Sequence, residues 1–247
     1  MALAWKSTVL DLLFPPLCIA CREQGASSGF CAACWNAIQF LDGPLCTCCG
    51  IPFDVALADG FADTLCAVCL TRPPAFDKAR AILRYDESSR APILALKHAD
   101  RLDLVPGFAA WLERAGRGLI ETSDLIVPVP LHGLRLWRRR YNQAAELARA
   151  LARRTGLALD TGALVRSRAT PSQGVMPSAR ARRRNVLGAF RVPQKARVAG
   201  RSVLVVDDVL TTGATADAAA RALRRAGAKK VQVLALARVV RAAEMLI

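Results

Sequence analysis

Val203-Leu204-Val205-Val206-Asp207-Asp208-Val209-Leu210-Thr211-Thr212-Gly213-Ala214-Thr215 is the stretch that decides how the rest of this chain is read. The apolar run Val203–Val206 predicts a buried strand of a parallel sheet. Ala214–Ala226, ended by Gly227, predicts a helix. The first N–H groups of a helix have no partner within it, and the helix dipole favours an anion there, so residues 211–215 form a phosphate cradle. Gly213 lets the chain come close to a ligand. The hydroxyls of Thr211, Thr212 and Thr215 add donors, and the backbone of Ala214 completes the loop. A phosphate alone does not call for two carboxylates beside it. A pentose does, because Asp207 and Asp208 can accept hydrogen bonds from vicinal hydroxyls. The stretch therefore reads as a site for a ribose 5-phosphate. No Gly-Lys-Ser/Thr follows, and G-x-G-x-x-G is absent, so it is neither a Walker loop nor a dinucleotide fingerprint. The plainer reading, a strand–turn–helix with a capping Thr, accounts for less of the thirteen residues.

Working outward, Ala79–Tyr85 predicts a strand, Ser88–Lys97 and Leu104–Arg114 helices, and Leu125–Val129 a buried strand. Asn142 caps a helix through Arg154 that stops at Gly156, with Ala145, Leu147, Ala148 and Leu151 on one side. Ala163–Arg166 and Val231–Ala237 predict two more strands. Residues 168–188, polar and basic with Gly174 and Pro177, read as a long mobile loop or hairpin. Strands alternating with helices define an α/β fold whose mostly parallel sheet is covered on both faces. The composition breaks at Pro73-Pro74, where the cysteines stop, which divides the chain into residues 1–74 and 75–247. Met1–Phe14 carries Lys6 and Asp11 and reads as a short helix packed on the protein, not as a membrane span or a signal peptide. Cytoplasm is the expected location.

All nine cysteines fall between Cys18 and Cys69. Eight form C-x-x-C pairs: Cys18/Cys21, Cys31/Cys34, Cys46/Cys49 and Cys66/Cys69. Each such turn aims two sulfurs at one point, and two turns make a closed tetrahedral site, so two structural Zn²⁺ ions are expected, with Cys48 left over. The spacer of 16 residues between Cys49 and Cys66 suits a zinc ribbon, whereas that of 9 between Cys21 and Cys31 is tight, so crossed pairing stays open. A module this small needs such staples.

The formal charge of +15 is unevenly placed: residues 131–201 hold 17 Lys/Arg against 2 acids, and residues 1–75 sum to −3. A stretch this basic attracts phosphates of a small ligand or a nucleic acid, against the blander reading of a solvated Arg-rich surface. Trp137 and Tyr141 are its only Trp or Tyr residues, so base stacking is modest. His132 is read as a solvated loop residue with no proton-transfer role.

The 203–215 stretch resembles the motif of type I phosphoribosyltransferases that binds phosphoribosyl pyrophosphate (PRPP). That resemblance assigns the ribosyl hydroxyls to Asp207 and Asp208 and the 5′-phosphate to Thr211–Thr215. The whole chain resembles the ComF family, named for competence for DNA uptake. The residues that carry this are the tandem C-x-x-C head, Val127-Pro128-Val129-Pro130-Leu131-His132 followed by Arg139-Arg140-Tyr141-Asn142-Gln143, Gln173 with Arg180, Arg183, Arg184 and Asn185 before Gly188-Ala189-Phe190, and Leu96-Lys97. The resemblance implies a type I phosphoribosyltransferase-like parallel sheet behind a zinc-ribbon module. It also implies PRPP bound with Mg²⁺, Arg139 near the pyrophosphate, and Arg183 on a loop that closes over the ligand. Single-stranded DNA and other DNA-uptake proteins are the implied partners. The 6-oxopurine enzymes carry Asp where Thr211 stands, which argues against that branch. The alternative to a binding module is an active transferase that passes the ribosyl 5-phosphate to a nitrogen base, with Asp207 and Asp208 orienting the sugar.

Overall fold

The computed structural model of the chain describes residues 17–24, 29–53, 64–98, 101–133, 136–137, 141–168 and 178–240. The helix expected over 1–14 lies outside them. In the cysteine-rich head, two short helices, α1 (Ala32–Ala37) and α2 (Ala67–Thr71), start directly after Cys31 and Cys66. Beyond it, β1 (Lys78–Arg84) leads through α3 (Glu87–His98) and α4 (Val105–Ile120) to β2 (Leu125–Pro128). Then come α5 (Gln143–Thr155), β3 (Ala158–Leu159), β4 (Val165–Arg166), α6 (Ala179–Val186), β5 (Phe190–Arg191), β6 (Ser202–Leu210), α7 (Ala214–Arg225) and β7 (Lys230–Arg238). Five strands form one parallel sheet in the order β1-β7-β6-β2-β3. The chain leaves β2 outward to β3 and later returns to place β6 on β2's other side, so the strand order reverses between β2 and β6. Such a reversal opens a crevice at the carboxyl ends of the strands, where ligands of open α/β sheets bind.

Two expectations are corrected. Within the loop or hairpin expected over 168–188, Ala179–Val186 form a helix and residues 169–177 lie outside the described residues: the Ser178 hydroxyl caps α6 by accepting from the Ala181 amide at 3.1 Å, and Val186 is buried in the core beside α7. Arginine is a good helix former, so a charged, Arg-rich run is compatible with a helix as well as with a loop. The strand expected over Ala163–Arg166 leaves the main sheet and pairs antiparallel with β5. β6 also runs further than its apolar run, because Asp207, Val209 and Leu210 pair with Ala235, Ala237 and Arg238 of β7.

The sheet's two faces differ in side-chain size. On one, Ile82, Leu83, Ile126, Leu204 and Leu234 pack against Phe108 and Leu112 of α4 and Leu147 and Leu151 of α5. On the other, Ala79, Ala81, Val203, Val205, Val231, Val233 and Ala235 meet Ala216, Ala219 and Ala220 of α7. Small residues on both sides bring α7 close to the strands. Cys46, Cys49, Ile51, Phe53, Cys66 and Cys69 belong to that same core. The second half of the head therefore covers the sheet beside α7.

The head also closes the free edge of the sheet. The Leu41 amide donates to the Ile82 carbonyl at 2.8 Å, the Arg84 amide to the Gln39 carbonyl at 2.9 Å, and the Ala79 amide to the Cys48 carbonyl at 2.7 Å. An exposed edge would otherwise present unpaired backbone groups. On the other side, Trp111 of α4 packs among Phe30, Trp35 and Phe40 of the head, with ring centroids 5.5–5.9 Å apart.

Gly50 sits at this junction with φ +70°, and a Cβ there would lie 2.5 Å from the Ala79 carbonyl oxygen. Gly50→Ala is expected to lower stability by about 2–4 kcal/mol, combining left-handed strain with overpacking against backbone. Urea unfolding of the variant beside wild type measures this, and Gly118→Ala, on α4 with nothing within 4 Å of the new Cβ, should show no such loss.

Candidate functional site

The acidic pair stands at the carboxyl end of β6, and the chain turns through residues 211–213 into α7. Gly213 holds φ 72° and ψ 0°, the left-handed conformation, at the helix N-cap, and its carbonyl accepts from the Asp217 amide at 2.8 Å. The Thr212 hydroxyl is buried and has no hydrogen-bond partner among the described residues. A buried hydroxyl left unpaired costs about 1–3 kcal/mol, and this one stands at the turn into α7.

Asp207 is 9% exposed. Burial first, then the charge of Asp208, push its carboxyl up to about 7, against the opposing pull of the Asp208 amide, Lys97 and Arg166. Its Oδ1 accepts from that amide at 2.9 Å. Asp208 is ion-paired through Oδ2 with Lys97 Nζ at 3.1 Å, both side chains being 18% exposed. The end of α3 that carries Lys97 is held by the next segment: the Tyr141 hydroxyl donates to the Leu96 carbonyl, and Gln143 Nε2 donates to that of Lys97. Asn142 Nδ2 donates to the Val129 carbonyl, tying the start of α5 to the end of β2. The Leu96-Lys97 and Tyr141-Asn142-Gln143 signatures thus meet around the acidic pair.

Thr212, Gly213 and Ala214 line one cavity together with Arg183 of α6, which the fold brings across to the loop. Arg139 lies outside the described residues. Two cations near Asp207 and Asp208 were not assigned to the site from sequence. Lys97 is marked in the sequence only by the Leu96-Lys97 dipeptide, and Arg166 of β4 carries no local signal at all.

The eight paired cysteines gather sequentially. Cys18, Cys21, Cys31 and Cys34 form one cluster and Cys46, Cys49, Cys66 and Cys69 the other, each with its sulfurs within 4.8 Å of one another. Amides of Cys31 and Cys66 donate to the sulfurs of Cys18 and Cys46, each at 3.3 Å. Bonds from Cys49 and Cys69, then the amides of Cys66 and Cys49, hold Cys46 far below the ordinary thiol range. Burial opposes the Cys18 thiolate, yet amides of Cys31, Cys21 and Ala20 outweigh it and bring it down to about 6. Four sulfurs with thiolate-stabilising amides suit Zn²⁺ in a closed structural site. The second cluster is fully buried and is gripped by two arginines of the sheet. Arg238 donates to the Cys49 carbonyl at 2.9 Å and lies 3.6 Å from its sulfur, and Arg80 donates to the carbonyls of Cys46 and Thr47.

Comparison with known proteins agrees with this layout. Residues 9–70 match the family described as "Double zinc ribbon domain", and residues 99–245 match "Phosphoribosyl transferase domain". The "DNA utilization protein YhgH" of Salmonella typhi is 36% identical, over 92% of this chain and 99% of that one. "Competence protein F" of Haemophilus influenzae is 33% identical, over 90% and 96%. The chain belongs to the ComF family. Among solved structures, this ComF-family chain is similar to adenine phosphoribosyltransferase from Thermoanaerobacter pseudethanolicus, at 19% identity and a TM-score of 0.35, covering 67% of this chain and 92% of that one. No described helix is long and apolar enough to cross a membrane.

Metal analysis of the purified ComF-family protein is expected to give two zinc ions per chain, unchanged by Cys48→Ser and reduced to one by Cys46→Ser. Because Asp207 is raised in the fold, the folded state keeps a proton that the unfolded state releases between about pH 4 and about pH 7, and stability falls as pH rises through that window. Asp207→Asn should therefore raise the melting temperature of the ligand-free protein more at pH 8 than at pH 5. Melting curves at the two pH values decide it, and an equal shift at both would remove Asp207 as the cause.

Proposed function

We propose that this chain, a double-ribbon head over residues 1–74 joined to a transferase-type unit over 75–247, binds PRPP and single-stranded DNA in the cytoplasm and acts with other proteins of DNA uptake. The observation that carries the PRPP reading is the acidic pair at the end of β6 beside the partnerless Thr212 hydroxyl at the N-terminus of α7. The ribosyl hydroxyls of PRPP donate to Asp207 and Asp208. The 5′-phosphate accepts from the amides of residues 211–215 and from the threonine hydroxyls. Arg183 and Arg139 are assigned to the diphosphate. Mg²⁺, when bound with PRPP, neutralises diphosphate charge. Lys97 holds the Asp208 carboxylate in place before the ligand arrives. The DNA reading is supported by the +15 charge of residues 131–201 and by relatives named for DNA utilization and competence.

Calorimetry with PRPP and Mg²⁺ tests the small-molecule site. Asp207→Asn with Asp208→Asn removes two charge-assisted acceptors, each worth about 1.5–3 kcal/mol, so affinity should fall on the order of 100-fold or more with the circular dichroism unchanged. Equal affinity in the double variant would place PRPP elsewhere. Wild-type affinity should also rise as pH passes upward through about 7, where Asp207 ionises. Asp208→Asn, which leaves Asp207 able to titrate, should keep a pH-dependent affinity.

A further inference from the structure

A groove runs along α7. One cavity, of about 130 Å³, lies between the second ribbon and the phosphate loop. A second, of about 370 Å³, continues between α6 and α7, and the two share Arg183, Ala214, Asp217 and Arg221. Ala214, Asp217, Ala218, Arg221 and Arg225 are spaced by three and four residues and so form one face of α7. Arg72 stands at the ribbon end, Arg183 reaches in from α6, and Arg221 and Arg225 follow along the helix. The acid in the groove, Asp217, is already engaged by Arg221 at 3.0 Å and by the Ala75 amide at 2.7 Å. Among the described residues, Arg72, Arg183 and Arg225 make no ion pair with an acid.

The arginines stand at the exposed rim of the groove, and its buried lining is apolar, with Phe76, Val186 and Ala214 among it. Val68 at one end is 44% exposed and Leu187 at the other is 68% exposed, with Pro73 and Pro74 between ribbon and sheet. A row of guanidinium groups neutralises a phosphate backbone. Exposed apolar side chains beside it can cover the faces of unpaired bases, and the guanidinium planes can stack on them, whereas a duplex keeps those faces stacked.

We propose that this groove is the track of a single strand of nucleic acid, bound through its phosphates by Arg72, Arg183, Arg221 and Arg225. The proposal rests on the DNA-binding reading above and fixes where on the molecule that binding occurs. Two of the four arginines, Arg221 and Arg225, follow the basic stretch 131–201 in sequence, and Arg72 precedes it. Of the run Arg182-Arg183-Arg184, only Arg183 lines the groove. The track passes Thr212–Ala214, so the strand and PRPP approach Arg183 from the same cavity.

The test is fluorescence anisotropy of the full-length, zinc-loaded protein with a labelled oligothymidylate, titrated over a range of salt. Arg72→Ala with Arg225→Ala should lower the log–log salt slope by about 1.4 and weaken binding on the order of 25-fold at about 0.1 M salt. PRPP affinity should stay at the wild-type value, which also shows that the variant is folded, and Arg72→Lys with Arg225→Lys should restore the slope. Arg184→Ala should bind as wild type, and a duplex of the same sequence should compete poorly. If wild type binds with a steep salt slope and the double alanine variant keeps it, the track is wrong and the DNA-binding reading stands. If wild type does not bind the oligonucleotide at all, the DNA-binding reading itself fails and the track fails with it.

Discussion

A parallel sheet has to be covered on both faces, and in this chain one part of that cover is a metal-binding knuckle. On the face that α7 serves, Cys46, Cys49, Cys66 and Cys69 lie in the same core as Ala79, Ala81 and the valines of β6 and β7. The four thiolates of a zinc site carry net negative charge, and burying such charge is costly without compensation. Arg80 and Arg238 supply it from strands β1 and β7, bonding to the carbonyls of the knuckle. The second cysteine cluster, the edge of β1 and the start of α7 are therefore parts of one packed unit.

The first cysteine cluster has a different standing. Its members run from buried to exposed, and it reaches the sheet domain through aromatic packing of Phe30 and Trp35 against Trp111. Edge-on and offset aromatic contacts of this kind add stabilisation without placing charge in the core. One ribbon is thus built into the α/β core, and the other is held against its outer surface.

Electrostatics at the acidic pair follow from the same topology. β6 carries Asp207 and Asp208 at the strand-order reversal, where burial disfavours the charged form of Asp207. Lys97 arrives from α3 and Arg166 from β4 to offset that cost. These cations hold the acidic pair in place, and the Thr212 hydroxyl at the helix start has no partner among the described residues.

The sequence by itself determined the elements whose physics is local. Val203–Val206 had to be a buried parallel strand, Asn142 and Gly156 had to bound α5, and the regular C-x-x-C spacing had to make metal knuckles, because each signal lies within a few neighbouring residues. The α/β class and the strand–turn–helix over residues 203–225 were legible for the same reason. What only the tertiary structure decided depends on residues far apart in the chain. It chose sequential over crossed cysteine clusters and turned the arginine-rich segment Ala179–Val186 into a helix against α7. It also brought Lys97 to Asp208, and set Arg72, Arg183 and Arg225 along one groove. Charge and spacing fix what a residue can do, but which partner it meets is set by how the sheet's two faces and its open edge are covered.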